Sequence, residues 1–135
     1  MDGKNELVFH HIGCLTRNIE ETKRVYASGL GLTESSEVFY ISNQQVKVCF
    51  IRNNSDSYIE LVEPVGESPS LNRLLQNNNT FYHLGYYSPD IDQTLARLQS
   101  EGYFLVNKFH SEAFSNNLCA FLYSPEKHLI EIIQK

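Results

Sequence analysis

Two stretches of this chain read onto each other. "FHHIGCLTRNIEETKRVYASGLGL", from Phe9, aligns with "FYHLGYYSPDIDQTLARLQSEGYF", from Phe81, at a constant offset of 72 residues. Phe9/Phe81, His11/His83, Gly13/Gly85, Ile19/Ile91, Thr22/Thr94 and Ser28/Ser100 coincide. These identities exceed the roughly one or two that ordinary composition produces over such a span. A repeat of this length means that one supersecondary unit is built twice, each copy with an apolar face to cover.

Each copy opens with an apolar, strand-like run and continues into a helix-start signal. "NIEE" places Asn18 as N-cap with Glu21 three residues on, and "DIDQ" places Asp90 with Gln93, so both carry the capping-box pattern. Ile19, Val25 and Tyr26, then Ile91, Leu95 and Leu98, recur at helical spacing, with Gly29 or Gly102 expected to end each helix. Strand material follows: "SEVFYIS", "QVKVCFI" and "YIELVEP" in the first half, "YFLVNKF", "LCAFLYS" and "LIEII" in the second. "RNNSDS" and "SPEK" supply hairpin turns, and "SPSLNRLLQNNN" reads as a short polar helix between the halves. The expected organisation is α+β: one domain over 1–135, with βαβββ module one at 7–65, a linker helix at 67–79 and βαβββ module two at 80–135.

A chain of 135 residues buries a sufficient core without metal or disulfide staples, so any metal site is expected to be functional. The formal net charge of −5, with no Lys/Arg stripe, argues against a nucleic-acid partner. "MDGKNELVFHH" lacks an apolar leader core, and no run of about eighteen apolar residues occurs, so a cytoplasmic location without membrane contact is expected. Cys14, Cys49 and Cys119 form no CxxC and read as buried, reduced thiols. "GLGL" is a helix exit and not a dinucleotide-binding fingerprint.

The last strand of each half carries a carboxylate inside an apolar run. In "LIEIIQK" side chains alternate between faces, so Leu129, Glu131 and Ile133 share one face and Ile130 and Ile132 the other. Taken singly, such a Glu is commonly a solvated edge-strand residue, and a strand His is commonly a hydrogen-bonded structural one. Glu60 in "YIELVEP" matches Glu131 at a spacing of 71 residues, while His11 and His83 repeat on the first strands. Two neutral imidazoles and two carboxylates around a divalent cation carry no net charge, which offsets the cost of burying the acids. This mixed N/O set suits Zn, Ni, Co, Mn or Fe better than Ca. His10 and His128 have no counterpart and read as structural.

The paired modules with "HHIG", "IELVEP", "YHLGY" and "LIEII" resemble the vicinal oxygen chelate superfamily, which includes glyoxalase I, methylmalonyl-CoA epimerase, extradiol dioxygenases, thiol transferases and bleomycin-binding proteins. "QVKVCFI", "IELVEPVGESPSLNRLL" and "YHLGY" are most similar to its epimerase and glyoxalase I branch. The resemblance implies two modules pairing into a curled mixed sheet around a metal-binding cleft, and Zn, Ni, Co or Mn held by His11, Glu60, His83 and Glu131. It implies a lactoylglutathione lyase-like or acyl-CoA epimerase-like enzyme on a hemithioacetal or acyl thioester. Glu131 or Glu60 would abstract a proton next to a metal-bound carbonyl to give an enolate. A homodimer is also implied.

Asn43 stands at or beside the position where epimerases of that branch carry a glutamate, and asparagine takes no proton. Unless Glu34 or Glu37 substitutes, a one-base isomerase or lyase fits better than two-base epimerisation. In "HSEAFSNNL", His110, Ser115, Asn116 and Asn117 either recognise substrate or form a solvated loop. The alternatives are a non-catalytic small-molecule binder of the bleomycin-resistance kind, with Tyr40, Tyr58, Tyr86 and Tyr87 as an aromatic cleft, or a thiol transferase.

Overall fold

The computed structural model describes residues 7–135; the acidic opening over 1–6 lies outside the described residues. The elements in chain order are β1 (Val8–Leu15), α1 (Ile19–Leu30), β2 (Phe39–Ile41), β3 (Val46–Arg52), β4 (Tyr58–Pro64), α2 (Pro69–Gln76), β5 (Phe81–Ser88), α3 (Ile91–Ser100), β6 (Phe104–Ser111), β7 (Asn117–Tyr123) and β8 (Leu129–Gln134). The strand–helix–three-strand sequence therefore occurs twice with α2 between. The strands form one eight-stranded mixed sheet in the order β2-β3-β4-β1-β5-β8-β7-β6. The chain divides into two compact units, His11–Tyr82 and the remainder, which joins residues up to His10 with His83–Lys135.

Within the unit His11–Tyr82, β1 runs parallel to β4, which pairs antiparallel with β3. The core under α1 is Ile19, Cys49, Ile51 and Leu61, with Tyr26, Leu32 and Ile59 packed against it. In the other unit β5 runs parallel to β8, and β8 pairs antiparallel with β7. Ile91, Leu95, Ala120, Leu122 and Ile132 form its core. In both units the odd or even set of strand side chains facing the helix is apolar, which leaves the opposite set free to carry function.

The helix starts are duplicated atom for atom. Asn18 Oδ1 accepts the Glu21 N–H at 2.9 Å, and Asp90 Oδ1 accepts the Gln93 N–H at 3.1 Å. The return arm expected of a capping box is not made by Glu21, whose carboxylate engages Arg24. Instead the Asn18 N–H donates to Thr16 Oγ1 and the Asp90 N–H to Ser88 Oγ, each at 3.1 Å. The first helical N–H is then closed from the last strand: Ile19 N–H donates to Glu63 Oε1 at 2.9 Å, and Ile91 N–H to Gln134 Oε1 at 2.8 Å.

Three element ends depart from the sequence reading. α1 runs through Gly29 and ends at Gly31, whose φ of 73° lets its N–H reach the Ala27 and Tyr26 carbonyls. Gly29 sits in the helix interior because its neighbour two residues on is better placed for the left-handed exit. The linker helix is confined to Pro69–Gln76. β2 is three residues long, since Ser36 Oγ takes the Phe50 N–H at 2.9 Å and breaks the ladder in "SEVFYIS". Among the described residues no helix is long and apolar enough to cross a membrane.

Candidate metal centre

In the unit His11–Tyr82, His11 lies on β1 and Glu60 on the adjacent β4, with Gly13 in register with Glu60. His11 Nε2 is 3.3 Å from Glu60 Oε1. Phe50, directly opposite Glu60 on β3, sets its ring edge-on to the imidazole with centroids 5.6 Å apart. In the other unit the arrangement recurs: Gly85 is in register with Glu131, and His83 Nε2 is 3.2 Å from Glu131 Oε1. Phe121 lies opposite Glu131 on β7 and edge-on to His83 at 5.2 Å.

All four polar side chains are buried: His11 is 0%, Glu60 5%, His83 2% and Glu131 4% exposed. The alternation read from "LIEIIQK" holds, with Ile132 packed under α3 and Glu131 on the opposite face beside Phe121. Among the described residues, His11, Glu60, His83 and Glu131 form a group in which each offers a ligand atom, all within 4.8 Å of one another. Such a group could hold a metal ion. Its donor set fits a first-row divalent ion: two imidazole nitrogens and two carboxylate oxygens, with no thiolate in the group. Cys14, Cys49 and Cys119 form no disulfide. Burial raises the pKa of Cys14, with the Glu60 charge adding to it, and burial also raises that of Cys49.

Asn43 lies exposed in the turn between β2 and β3, Glu37 is also exposed, and Glu34 pairs with Arg52 at 3.4 Å. His110 Nδ1 meets the Asn116 carbonyl at 3.0 Å across the β6–β7 connection, and Asn117 Nδ2 donates to the Gln134 carbonyl at the end of β8 at 3.0 Å. Ser115 and Asn116 take left-handed φ values of 56° and 61° in that turn. Of the four tyrosines, Tyr86 packs on the α3-side core, Tyr87 against His10, Tyr58 against Phe50, and Tyr40 is exposed. His10 lies against Tyr87 and Phe114, with ring centroids 4.9 and 5.4 Å away.

Residue reasoning missed Phe50 and Phe121. The signal was present, because they share the 71-residue spacing of Glu60 and Glu131.

The family model for the glyoxalase/bleomycin resistance protein/dioxygenase superfamily matches residues 10–121. The chain belongs to this superfamily. Comparison with curated protein sequences gives no match. A hypothetical protein of Bacillus halodurans is similar to this superfamily member with a TM-score of 0.84 and 22% identity, over 97% of this chain and 96% of that one. Methylmalonyl-CoA epimerase from Mycobacterium tuberculosis matches with a TM-score of 0.80 and 22% identity, over 94% and 87% of the two chains. A Streptomyces coelicolor methylmalonyl-CoA epimerase variant in complex with 2-nitronate-propionyl-CoA matches with a TM-score of 0.80 and 20% identity, over 96% of each chain. The superfamily member thus has the α+β vicinal oxygen chelate fold, with eight strands in one mixed sheet and three helices.

Proposed function

We propose that this superfamily member is a divalent-metal-dependent isomerase or lyase of the glyoxalase I or methylmalonyl-CoA epimerase type, which moves a proton on the carbon next to a substrate carbonyl. The observation that carries the reading is the buried group of His11, Glu60, His83 and Glu131. These four side chains would hold Zn, Ni, Co or Mn. The bound cation supplies Lewis acidity, which lowers the pKa of the C–H beside the carbonyl.

The protein's own groups do the rest. His11 and His83 serve as neutral nitrogen donors, each 3.2–3.3 Å from the carboxylate of its own unit. Glu131 or Glu60 takes the proton and returns it, a role open to a carboxylate once the C–H has been acidified. Phe50 and Phe121 border the two imidazoles with hydrocarbon, which keeps water from competing for that proton. Asn43, exposed and unable to accept a proton, supports one-base chemistry over a two-base epimerisation.

The substrate class in this reading is a hemithioacetal or an acyl thioester. The acyl-CoA analogue bound by the Streptomyces coelicolor epimerase supports the second. The chain acts as one domain, in a cytoplasmic homodimer. The test is elemental analysis of the purified protein, followed by NMR of α-hydrogen exchange in deuterium oxide with methylmalonyl-CoA and with the glutathione hemithioacetal of methylglyoxal. Bound divalent metal with exchange on either compound is expected. Absence of metal, with no exchange after Zn, Ni, Co or Mn is added, overturns the reading.

A further inference from the structure

Tyr58 is in register with His11 on β1 and with Arg52 on β3, so one row of the sheet carries an imidazole, a phenol ring and a guanidinium. The β3–β4 register runs unbroken from Val46↔Pro64 to Arg52↔Tyr58, which puts Arg52 on the same face as Phe50 and Glu60. Ring contacts join this row to the next one on the same face: His11 meets Phe50 at 5.6 Å, and Phe50 meets Tyr58 at 6.2 Å. At an interstrand spacing of about 4.8 Å, the Arg52 backbone lies roughly 10 Å from that of His11.

The guanidinium is held in place from three sides. Its carbon sits 5.2 Å from the Tyr58 ring centroid, Nη1 donates to the Ser55 carbonyl at 3.0 Å, and Nε faces Glu34 Oε1 at 3.4 Å. Its side chain is nevertheless 40% exposed, and the Glu34 side chain is 76% exposed. An ion pair as wet as this is worth little, so a better placed anion displaces it at small cost. Across the other β3 and β4 positions of this face, from Val46 to Phe50 and from Tyr58 to Pro64, no basic side chain occurs. A planar, stacked guanidinium with donors to spare recognises a carboxylate or a phosphate.

We propose that Arg52 determines specificity by binding an anionic group of the substrate, a carboxylate or a phosphate, carried several bonds beyond the carbonyl oxygen that reaches the His11–Glu60 end of the row. The inference rests on the function proposed above, and it assigns recognition of the substrate's negatively charged arm to Arg52.

The test uses zinc-loaded protein and calorimetric titration with 2-oxoadipate, its distal monoamide and the matching distal phosphonate, compared across wild type, Arg52→Gln, Arg52→Lys and Glu34→Gln. The wild type is expected to bind one of the two anionic probes about tenfold or more tightly than the amide. Preference for the dicarboxylate or the phosphonate tells which anion the site takes. Arg52→Gln should abolish the preference with amide binding unchanged, Arg52→Lys should restore part of it, and Glu34→Gln should strengthen anion binding by removing the competitor. Equal binding of charged and neutral probes by the wild type, or a preference that survives Arg52→Gln, overturns the proposal. The ¹⁵Nε–H resonance of Arg52, followed during the same titrations with and without zinc, keeps the two readings apart. Failure to bind zinc with an Arg52 shift intact counts against the metal reading, and normal zinc content with no Arg52 shift counts against the anion site.

Discussion

His83 Nε2 lies 3.2 Å from Glu131 Oε1, with both side chains buried and Gly85 in register beside the carboxylate. Burial of an acid and an imidazole this close makes the pair sensitive to a bound cation and to pH. In the proposed function both side chains are metal ligands. His83→Ala or Glu131→Gln should weaken divalent-metal affinity by more than the 10–100-fold typical of losing a hydrogen-bond partner behind a ligand. Equilibrium dialysis at pH 7.5 checks this.

Metal affinity should fall as pH falls, because protons compete for imidazole nitrogens and carboxylate oxygens alike. Metal added at 100 times its dissociation constant should stabilise the fold by about 2.7 kcal/mol. Thermal melts with and without a chelator at pH 6 and pH 8 should show a larger metal-dependent rise in Tm at the higher pH.

Gly29 and Gly31, two residues apart, should respond to alanine with opposite signs. At Gly29, inside α1, an added Cβ meets nothing within 4 Å, and Gly29→Ala should stabilise by about 0.5–1 kcal/mol. At Gly31 the φ of 73° is the left-handed exit, and Gly31→Ala should destabilise by about 1 kcal/mol or more. Urea denaturation of the two variants gives the comparison.

Glu63 and Gln134 close the first N–H of α1 and α3 from β4 and β8. Glu63→Ala or Gln134→Ala should each cost about 1 kcal/mol, the usual loss of an N-terminal cap. Glu63→Gln keeps the acceptor and should cost less, retaining the bond while losing the charge beside the helix dipole. Chemical denaturation separates the three.

Cys49 is fully buried and its thiol sits above its ordinary value of 9.0, chiefly through burial, which outweighs the opposing hydrogen bond with Ser36. A raised folded-state value means that the neutral thiol stabilises the fold fully below pH 9 and that this contribution is lost as pH rises through the folded value. Cys49→Ala should therefore flatten the decline in stability above pH 9. Denaturation midpoints between pH 8 and pH 10.5 provide the measurement.

How much of this was legible beforehand differs from feature to feature. The 72-residue repeat, the strand–helix–three-strand order and the His/Glu candidates could be read directly, because each is carried by residue type at short spacing. Helix ends were read less well. Both Gly29 and Gly31 offer a left-handed exit, and local sequence does not choose between them. The capping boxes were half right, since Asn18 and Asp90 cap as expected while Thr16 and Ser88 supply the return bond. Asn43 lies in an exposed turn, and His110 Nδ1 meets the Asn116 carbonyl, placements that residue type at short spacing does not give.

The chain's own order of residues determined that a module is built twice and that each copy buries an acid on the face opposite its helix, because period-two and period-3.6 patterns are local properties. Only the tertiary structure decided which residues meet: Phe50 opposite Glu60, Glu63 on the first turn of α1, Arg52 in the row of His11. Glu63 and α1, and Arg52 and His11, lie far apart along the chain, while the pairing of Phe50 with Glu60 depends on the β3–β4 hairpin register; residue patterning within one strand encodes neither.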